Sequence, residues 1–246
     1  MHSVPYQLDG KRIMVTGATS GIGEVTAKLL RSSGAQVLAV GQNQNKLERL
    51  YSDHGCETLR LDVADGAAVQ ELLAVSYELD GLVNCSGISI LESCLELNAE
   101  SFDRVMAVNA RGAALVSRYV AQHMIAEGRQ GSIVNVSSQA ALVALEDHLA
   151  YCASKAALDA ITRAMCLELG PLGIRVNSVN PTVTLTPMAE QAWSDPAKSA
   201  PVLQAIPLRR FARPEEVAWP VMFLLSAAAS MISGVCLPVD GGYTCH

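Results

Sequence analysis

Tyr151 and Lys155 are the residues whose types and spacing best suit chemistry, in the stretch Tyr151-Cys152-Ala153-Ser154-Lys155. On a helix, residues four apart lie one above the other, so the ammonium of Lys155 can lie near the phenol of Tyr151. A phenol is a poor general acid or base at neutral pH unless a neighbouring cation stabilises its phenolate. Upstream, Ser138 could hydrogen-bond a carbonyl oxygen while Tyr151 delivers or removes a proton. The pattern is short, and it also fits an amphipathic tyrosine beside a solvated helix lysine.

The elements that must position these side chains follow a regular order. Strand-like apolar runs alternate with helical patterns, which predicts an α/β fold with a parallel sheet. We expect a three-layer, Rossmann-like, doubly wound sheet of about seven strands with helices on both faces. The predicted strands are residues 12–16, 36–40, 57–61, 81–83, 131–138, 174–179 and 235–239, and the predicted helices are residues 21–33, about 98–127, the Tyr151 helix to about 170, and 214–226. The segment of about 183–211 carries four prolines and no strand period, and we expect a substrate lid there.

The composition favours one globular domain over residues 1–246. Half of the residues are hydrophobic and 17% are charged, as in chains that bury a large core. The formal net charge of -6 argues against nucleic-acid and membrane-surface partners, which need a basic field. The sequence shows no apolar run long enough to span a bilayer and no secretory signal, so a soluble, cytoplasmic protein is expected.

The cysteines and histidines show no metal-ligand spacing. Without CxxC pairs, HExxH or a Cys/His cluster, the pattern predicts reduced cysteines and no metal site. The seven cysteines are Cys56, Cys85, Cys94, Cys152, Cys166, Cys236 and Cys245.

A glycine-rich loop lies between the first predicted strand and helix. Glycines there let the backbone turn tightly and approach a pyrophosphate at the helix N-terminus. The residue that ends the second strand usually reports on the cofactor, since an acid favours NAD and an arginine favours the 2′-phosphate of NADP. Gly41 and Gln42, at the end of this strand, are neither acidic nor basic. The absence of an acid slightly favours NADP, whereas the absence of an Arg or Lys leaves NAD open.

Polar residues also end other predicted strands. Asp62 lies where an adenine amino group could bind, and Ser138 lies at the strand edge where ligands of open parallel sheets gather. Asn109, flanked by apolar residues in the long helix, fits a hydrogen-bonded core residue as well as a catalytic one.

Together these motifs resemble the short-chain dehydrogenase/reductase family, over essentially the whole chain and in the same order. The motifs are Thr16-Gly17-x-x-x-Gly21-x-Gly23, Asp62, Asn84-Cys85-Ser86-Gly87, Asn109, Ser138 and Tyr151-x-x-x-Lys155. The resemblance implies that Ser138 orients the carbonyl or hydroxyl and that Tyr151 is the acid/base. It also implies that Lys155 stabilises the phenolate and binds the nicotinamide ribose, and that Asn109 holds a water in a proton relay. The implied cofactor contacts are Gly17, Thr19, Ser20, Gly21, Ile22, Gly23, Gly41, Gln42, Asp62, Val63, Asn84, Ser86, Gly87, Tyr151, Lys155, Pro181, Thr182, Val183 and Thr186.

Within the family, several stretches are similar to dicarbonyl/L-xylulose reductases, among them Asn135-Val136-Ser137-Ser138-Gln139 and Trp193-Ser194-Asp195-Pro196. This similarity implies a small polar pocket for a short sugar or diketone, although His148 could instead cap a helix and Trp193 could pack in the lid. Those reductases carry basic residues for the 2′-phosphate where this chain has Ser20 and Gln42. The implied substrate contacts are Ser138, Gln139, His148, Tyr151, Asn180 and Trp193.

The expected function is an NAD(P)-dependent oxidoreductase for a ketose, polyol or short dicarbonyl. The alternative is a 3-oxoacyl thioester reductase of the same fold, whose carrier protein would need a basic patch. The charged residues at 209–216 have mixed signs and do not form such a basic patch. They are Arg209, Arg210, Arg213, Glu215 and Glu216. A third hypothesis is a cofactor-binding regulator without catalysis. The resemblance also implies a homotetramer, joined through long helices and the C-terminal strand.

Overall fold

The computed structural model describes residues 8–72, 77–186, 189–190 and 193–245. These residues form a seven-stranded sheet in the order β3-β2-β1-β4-β5-β6-β7. The strands are β1 (Arg12–Thr16), β2 (Gln36–Gly41), β3 (Glu57–Arg60), β4 (Gly81–Asn84), β5 (Gly131–Val136), β6 (Ile174–Pro181) and β7 (Cys236–Val239). All neighbouring strands pair in parallel. The order reverses between β1 and β4, and at such a switch point the crevice beyond the strand ends accepts a ligand.

Helices cover both faces of this sheet. They are α1 (Gly21–Ser32), α2 (Gln44–His54), α3 (Gly66–Leu72), α4 (Ala99–Met106), α5 (Ala113–Ala126), α6 (Leu149–Leu169), α7 (Pro196–Ala205) and α8 (Pro214–Leu225). The core on one face of the sheet includes buried residues of α1, α2 and α8. The core on the other face, called the opposite-face core below, includes residues of α3, α5 and α6. This confirms the predicted three-layer, doubly wound α/β fold.

Strand β1 shows how the sequence divides between the two cores. Ile13 and Val15 pack in one core, and Met14 packs in the other. Side chains alternate between the faces of a strand, and a parallel strand covered on both sides is apolar throughout. The continuous apolar run Ile13-Met14-Val15 is therefore the expected signature of a buried central strand.

The structure differs from the sequence-based elements in three places. The long helix predicted near 98–127 is interrupted by a π-helical turn at Ala107–Gly112. The segment at 183–211, predicted to be irregular, contains α7, in which Asp195 accepts a hydrogen bond from the N–H of Ala197 and Pro196 occupies the first turn. Asp before Pro is a helix-start signal, so α7 was readable from the sequence. Helices α2 and α3 were not predicted.

The helices of the described ranges include none that is both long and apolar enough to cross a bilayer.

Candidate functional site

The loop between β1 and α1, residues 17–23, brings bare backbone to the carboxyl edge of the sheet. A Cβ atom on Gly23 would lie 2.3 Å from the carbonyl oxygen of Gly17, and one on Gly17 would lie 2.8 Å from the backbone of Cys85. Gly17 also has a φ of +67°, which favours glycine. The N-cap residue Ser20 makes no side-chain cap hydrogen bond, so the first amides of α1 stay open to an anion. Loop 17–23 therefore fits a pyrophosphate.

The ends of β2 and β3 form the next part of the crevice. A Cβ on Gly41 would lie 2.6 Å from the side chain of Thr19, so the two residues pack directly together. Asp62 accepts a hydrogen bond from the N–H of Ala64 at 2.9 Å and forms an ion pair with Arg104 at 3.3 Å. Beside them, Gln42 and Ser20 are exposed, Ile22 is half-buried against the core, and Val63 is buried.

The segment after β4 divides between core and site. The Nδ2 atom of Asn84 donates to Ser117 Oγ and to Asn135 Oδ1, each at 2.8 Å, so this side chain is committed to the core. Its Oδ1 atom is buried without a partner in the structure. A cofactor contact at Asn84 would therefore have to come from its backbone. Burial raises the pKa of the Cys85 thiol to about 12, which the nearby Lys155 only partly offsets, so this cysteine stays a protonated thiol at neutral pH.

The following residues turn back towards the catalytic candidates. The backbone N–H groups of Cys85 and Ser86 donate to Thr16 Oγ1 at 3.2 and 3.3 Å. A Cβ on Gly87 would lie 3.4 Å from Lys155 Nζ and 3.5 Å from Asn109 Oδ1. Gly87 thus lies directly beside two of the predicted catalytic residues.

Asn109 lies in the π-helical turn and is fully buried. Its Oδ1 accepts from the N–H of Ile88 at 2.8 Å, and its Nδ2 donates to Ile88 O at 2.8 Å and to Ser154 Oγ at 2.9 Å. Both amide N–H donors are therefore used inside the protein. Residues in π-turns recur at functional sites because the turn breaks the regular helical hydrogen bonding.

Lys155, on the same helix as Tyr151, contacts the end of β5 just before Ser138. Lys155 Nζ donates to Val136 O at 2.9 Å and lies 5.7 Å from the ring centroid of Tyr151. Ser137 Oγ also donates to the backbone oxygen of Lys155, at 3.3 Å. Ser138 Oγ accepts from the N–H of Ala140 at 3.1 Å, so its own O–H remains available as a donor. The predicted phenol, ammonium and hydroxyl are held by one strand end and one helix.

The predicted substrate residues differ in their surroundings. Gln139 is buried, and its Oε1 has no hydrogen-bond partner among the residues that the structure describes. The ring of His148 lies 6.0 Å from that of Tyr151, and its Nδ1 donates to Glu146 O at 2.5 Å, which leaves Nε2 as an acceptor in the neutral ring. His148 does not cap α6 with its side chain. Trp193 packs against Phe211 with ring centroids 5.6 Å apart.

Asn180 occupies a different environment. It is fully buried, and its Nδ2 donates to Ser138 O at 3.0 Å and to Asp159 Oδ2 at 2.7 Å. Both N–H groups are therefore used within the protein, and the structure provides no free donor on this side chain for a substrate.

The chain that leaves β6 returns over the phosphate loop. Pro181 and Thr182 are buried, and the Oγ1 of Thr182 has no hydrogen-bond partner within the described ranges. After Val183, the methyl group of Thr186 would lie 2.9 Å from a Cβ on Gly21. The glycine cradle and the unpaired Thr182 hydroxyl together fit a dinucleotide that passes from loop 17–23 towards Lys155. Within the described part of the chain, no group of three or more His, Cys, Asp or Glu side chains is placed to hold a metal ion.

Three residues near this crevice were not singled out from the sequence. Arg60 pairs in register with Gly41, Arg104 meets Asp62, and Asp159 meets Asn180. Only Asp159 carries a local signal, because it lies one helical turn beyond Lys155. The two arginines lie on elements distant in sequence from their partners.

The sequence and the fold both have well-defined relatives. A family model described as enoyl-(acyl carrier protein) reductase matches residues 17–244. L-xylulose reductase from Bos taurus is 46% identical over 238 residues, which cover 96% of this chain and 98% of that protein. D-threitol dehydrogenase from Mycolicibacterium smegmatis is 41% identical over 248 residues, which cover 97% of this chain and 95% of that protein.

A solved structure shows the same architecture. It is a protein from Agrobacterium tumefaciens with bound NADP, provisionally named a 2-deoxy-D-gluconate 3-dehydrogenase, with a TM-score of 0.91 and 29% identity over 99% of this chain and 100% of that chain. The family model and these relatives span nearly the whole chain. This protein belongs to the short-chain dehydrogenase/reductase family and is an NAD(P)-dependent oxidoreductase acting on CH–OH and C=O groups.

Proposed function

We propose that the substrate of this oxidoreductase is a small ketose or polyol of the L-xylulose type, or a short dicarbonyl. The observation that carries the proposal is the buried, unpaired Oε1 of Gln139 beside Ser138. A buried acceptor without a partner costs free energy, which a substrate hydroxyl would recover. The Nε2 of His148 offers a second acceptor close to Tyr151. The names of the relatives, L-xylulose reductase and D-threitol dehydrogenase, support the same substrate class.

The chain's own residues then handle the proton and the alignment. The free O–H of Ser138 orients the substrate oxygen, and Tyr151 gives its phenolic proton to that oxygen during reduction or removes a proton during oxidation. Lys155, held by Val136 O, stabilises the phenolate and binds the nicotinamide ribose. The bound nicotinamide supplies or accepts the hydride.

Asn109 contributes through its place in the π-helical turn. Because both of its side-chain N–H donors are used by Ile88 and Ser154, the amide holds the turn against the segment after β4. A relay water held by Asn109 would have to donate to one of its oxygens, since both side-chain N–H donors are used.

The segment 183–211 is proposed to close over the substrate. Its base is tied together, because Ala212 N donates to Val183 O at 3.0 Å and Leu185 N donates to Ala212 O at 2.8 Å. Thr186 lies over Gly21, and Trp193 packs against Phe211 within the segment. Of the proposed lid, residues 187, 188, 191 and 192 lie outside the described part of the chain.

NADP is the cofactor that the end of β2 favours. A Cβ at Gly41 would collide with Thr19, so a ribose-binding acid has no room there without rearrangement. The in-register partner of Gly41 is Arg60, an exposed residue. Leu59 and Leu61 pack in the opposite-face core, so Arg60 between them points to the face of α1 and α2. A side chain at position 41 would point to the same face. Among the described residues its guanidinium has no hydrogen bond or ion pair, and it is available for a 2′-phosphate.

Replacement of Arg60 by alanine is expected to raise the dissociation constant of NADPH about tenfold and to change that of NADH by less than about twofold, because only NADPH carries the phosphate. Side-by-side fluorescence titrations with both cofactors measure this. Arg163→Ala removes the same charge about three turns beyond Tyr151 on α6 and is the matched control. Equal changes for the two cofactors, or a wild-type preference for NADH, would contradict the proposal.

The arginines near the start of α8 do not favour a carrier-protein partner. Arg210 forms two hydrogen bonds to Glu216, each at 2.7 Å, and Arg213 lies 3.6 Å from the same carboxylate. The Arg210 hydrogen bond, followed by that of the Arg213 backbone, lowers the pKa of Glu216 to about 2. Of Arg209, Arg210 and Arg213, the last two therefore share a carboxylate that stays ionised at neutral pH. Little basic surface is left for an acidic carrier protein.

A homotetramer is the proposed assembly. Trp219 on α8 is 53% exposed and Leu167 on α6 is 79% exposed, and such apolar side chains suit helix contacts between subunits. Strand β7 lies at the end of the sheet, where its free edge can approach that of another copy. Size-exclusion chromatography with light scattering is expected to give four chain masses. A monomer at micromolar concentration would contradict the proposal.

Turnover by the purified protein tests the substrate proposal. A panel of ketoses, polyols, short diketones and 3-oxoacyl thioesters is assayed with each nicotinamide cofactor. Highest kcat/KM on a ketose, polyol or diketone supports it. Preference for the thioester would favour the alternative enzyme, and cofactor binding without turnover on any compound would favour a regulator.

A further inference from the structure

A buried carboxylate lies behind the catalytic candidates. Asp159 on α6, one turn beyond Lys155, is only 3% exposed. Its Oδ1 accepts from Ser178 Oγ at 2.9 Å and its Oδ2 accepts from Asn180 Nδ2 at 2.7 Å. Within the described ranges Asp159 forms no ion pair. Burial of a carboxylate among neutral donors is unfavourable for stability, so its presence calls for another explanation.

Asp159 decides which way the amide of Asn180 faces. The oxygen and nitrogen of an asparagine amide are nearly the same size, so sterics alone do not orient it. A carboxylate only accepts hydrogen bonds, and it therefore draws the Nδ2 atom of Asn180 towards itself. The second N–H of that nitrogen then reaches Ser138 O at 3.0 Å. The single O–H of Ser178 lies within reach of both Asp159 Oδ1, at 2.9 Å, and Asn180 Oδ1, at 3.1 Å, and is shared between them. A reversed amide would place the single Oδ1 of Asn180 against two acceptors, Ser138 O and Asp159 Oδ2.

This chain of contacts joins the two halves of the proposed proton-transfer site. Helix α6 carries Tyr151, Lys155 and Asp159, whereas Ser138 follows β5. Asn180, at the end of β6, bridges the helix and the backbone of Ser138. The Ser138 hydroxyl itself accepts from Ala140 N, which fixes its rotamer. Val136 and Ser137 contact Lys155 on α6, and Asn180 adds a tie to α6 at Ser138 itself.

We propose that Asp159 and Asn180 are positioning residues that set the hydroxyl of Ser138 against Tyr151. The proposal rests on the proposed roles of Ser138 and Tyr151. The carboxylate acts through its two accepted hydrogen bonds and the amide orientation that they impose. Sequence resemblance placed Asn180 in contact with substrate, whereas its contacts place it behind Ser138.

Alanine and asparagine at position 159 distinguish positioning from a merely structural role. Asp159→Ala is expected to lower kcat about 10²-fold, because a misplacement of about 1 Å in a reacting group has an effect of this size. The dissociation constant of the cofactor stays within about twofold, since loop 17–23 is untouched. Asp159→Asn can offer its Oδ1 to Asn180 and donate to Ser178 Oγ, while Ser138 O continues to favour the same orientation of the Asn180 amide. Its kcat is therefore expected within about threefold of wild type.

Two further variants complete the test. If the effect runs through Asn180, the double variant Asp159→Ala/Asn180→Ala has the kcat of Asn180→Ala alone. Ser132→Ala removes a buried hydrogen bond to Leu224 O at the far end of β5, and it should lower the melting temperature while kcat is retained. If Asp159→Ala does not fold, Asn180→Ala in the Asp159→Asn background leaves no buried charge and is expected to show the same loss in kcat.

Three results would overturn the proposal: additive losses in the double variant, an asparagine variant as slow as the alanine variant, or unchanged kcat in Asp159→Ala. Wild-type turnover and the Tyr151→Phe variant are measured in parallel. Loss of the proposed function would appear as full activity in Tyr151→Phe, whatever happens at position 159.

Discussion

Tyr151→Phe is expected to lower kcat by about 10² to 10⁴-fold on the best substrate of the panel, because the variant keeps the ring and loses the only proposed proton donor. The ring contacts with Lys155 and His148 do not involve the hydroxyl, so the fold and cofactor binding should remain. Steady-state kinetics in both directions, together with cofactor titration, measure the effect. The loss should appear in kcat and kcat/KM alike, as for an interaction made only in the transition state.

Tyr51→Phe is the matched control for this experiment. Tyr51 lies on α2 and is 67% exposed, so its hydroxyl takes no part in the crevice. The control should keep wild-type kinetics. Full activity in Tyr151→Phe would remove Tyr151 as the acid/base and, with it, the proposed role of Lys155 in stabilising a phenolate.

Gly23→Ala is expected to weaken binding of both NADH and NADPH by about 10²-fold, because losing a hydrogen bond to a charged group costs about 1.5–3 kcal/mol and each 1.4 kcal/mol is about tenfold in affinity. The new Cβ would lie 2.3 Å from the carbonyl oxygen of Gly17, so loop 17–23 must move to accept it. Because that contact is to backbone and not to a flexible side chain, the amides that face the pyrophosphate move as well. Titration of each cofactor and thermal unfolding of the free protein separate the binding effect from a loss of stability.

Gly170→Ala provides the control for a glycine that has space. A Cβ there would meet nothing within 4 Å, and Gly170 has a φ of -54°, which alanine adopts readily. This variant should bind both cofactors as wild type does and should not lose stability. Wild-type cofactor affinity in Gly23→Ala would show that loop 17–23 is not the pyrophosphate site.

The proposed variants at these four sites test different parts of the protein. A change in loop 17–23 should weaken the binding of both cofactors equally, because both contain the pyrophosphate. A change at Arg60 should weaken only the binding of the cofactor with the 2′-phosphate. A change at Tyr151 should affect proton transfer, and a change at Asp159 should affect the position of Ser138 relative to Tyr151. Since these parts are separated along the crevice, their effects on cofactor affinity and on kcat should also separate.

The sequence by itself determined the features that depend on local spacing. Apolar runs such as Ile13-Met14-Val15, alternating with helical patterns, predicted the parallel sheet and its two helical layers. The four-residue spacing of Tyr151 and Lys155 placed ammonium and ring together, and the glycines of loop 17–23 predicted a tight turn before α1. Each signal is contained in one turn, one strand or one strand-to-helix junction, where period and spacing translate directly into geometry.

The tertiary structure decided the features whose partners are distant in the chain. Strand pairing placed Arg60 beside Gly41, which the residues around Gly41 could not reveal. The buried carboxylate of Asp159 turned the amide of Asn180 towards Ser138, and Ile88 and Ser154 each took one amide N–H of Asn109. A side chain's partner depends on which elements pack against it, and that information lies in the assembled core and not in the neighbouring sequence.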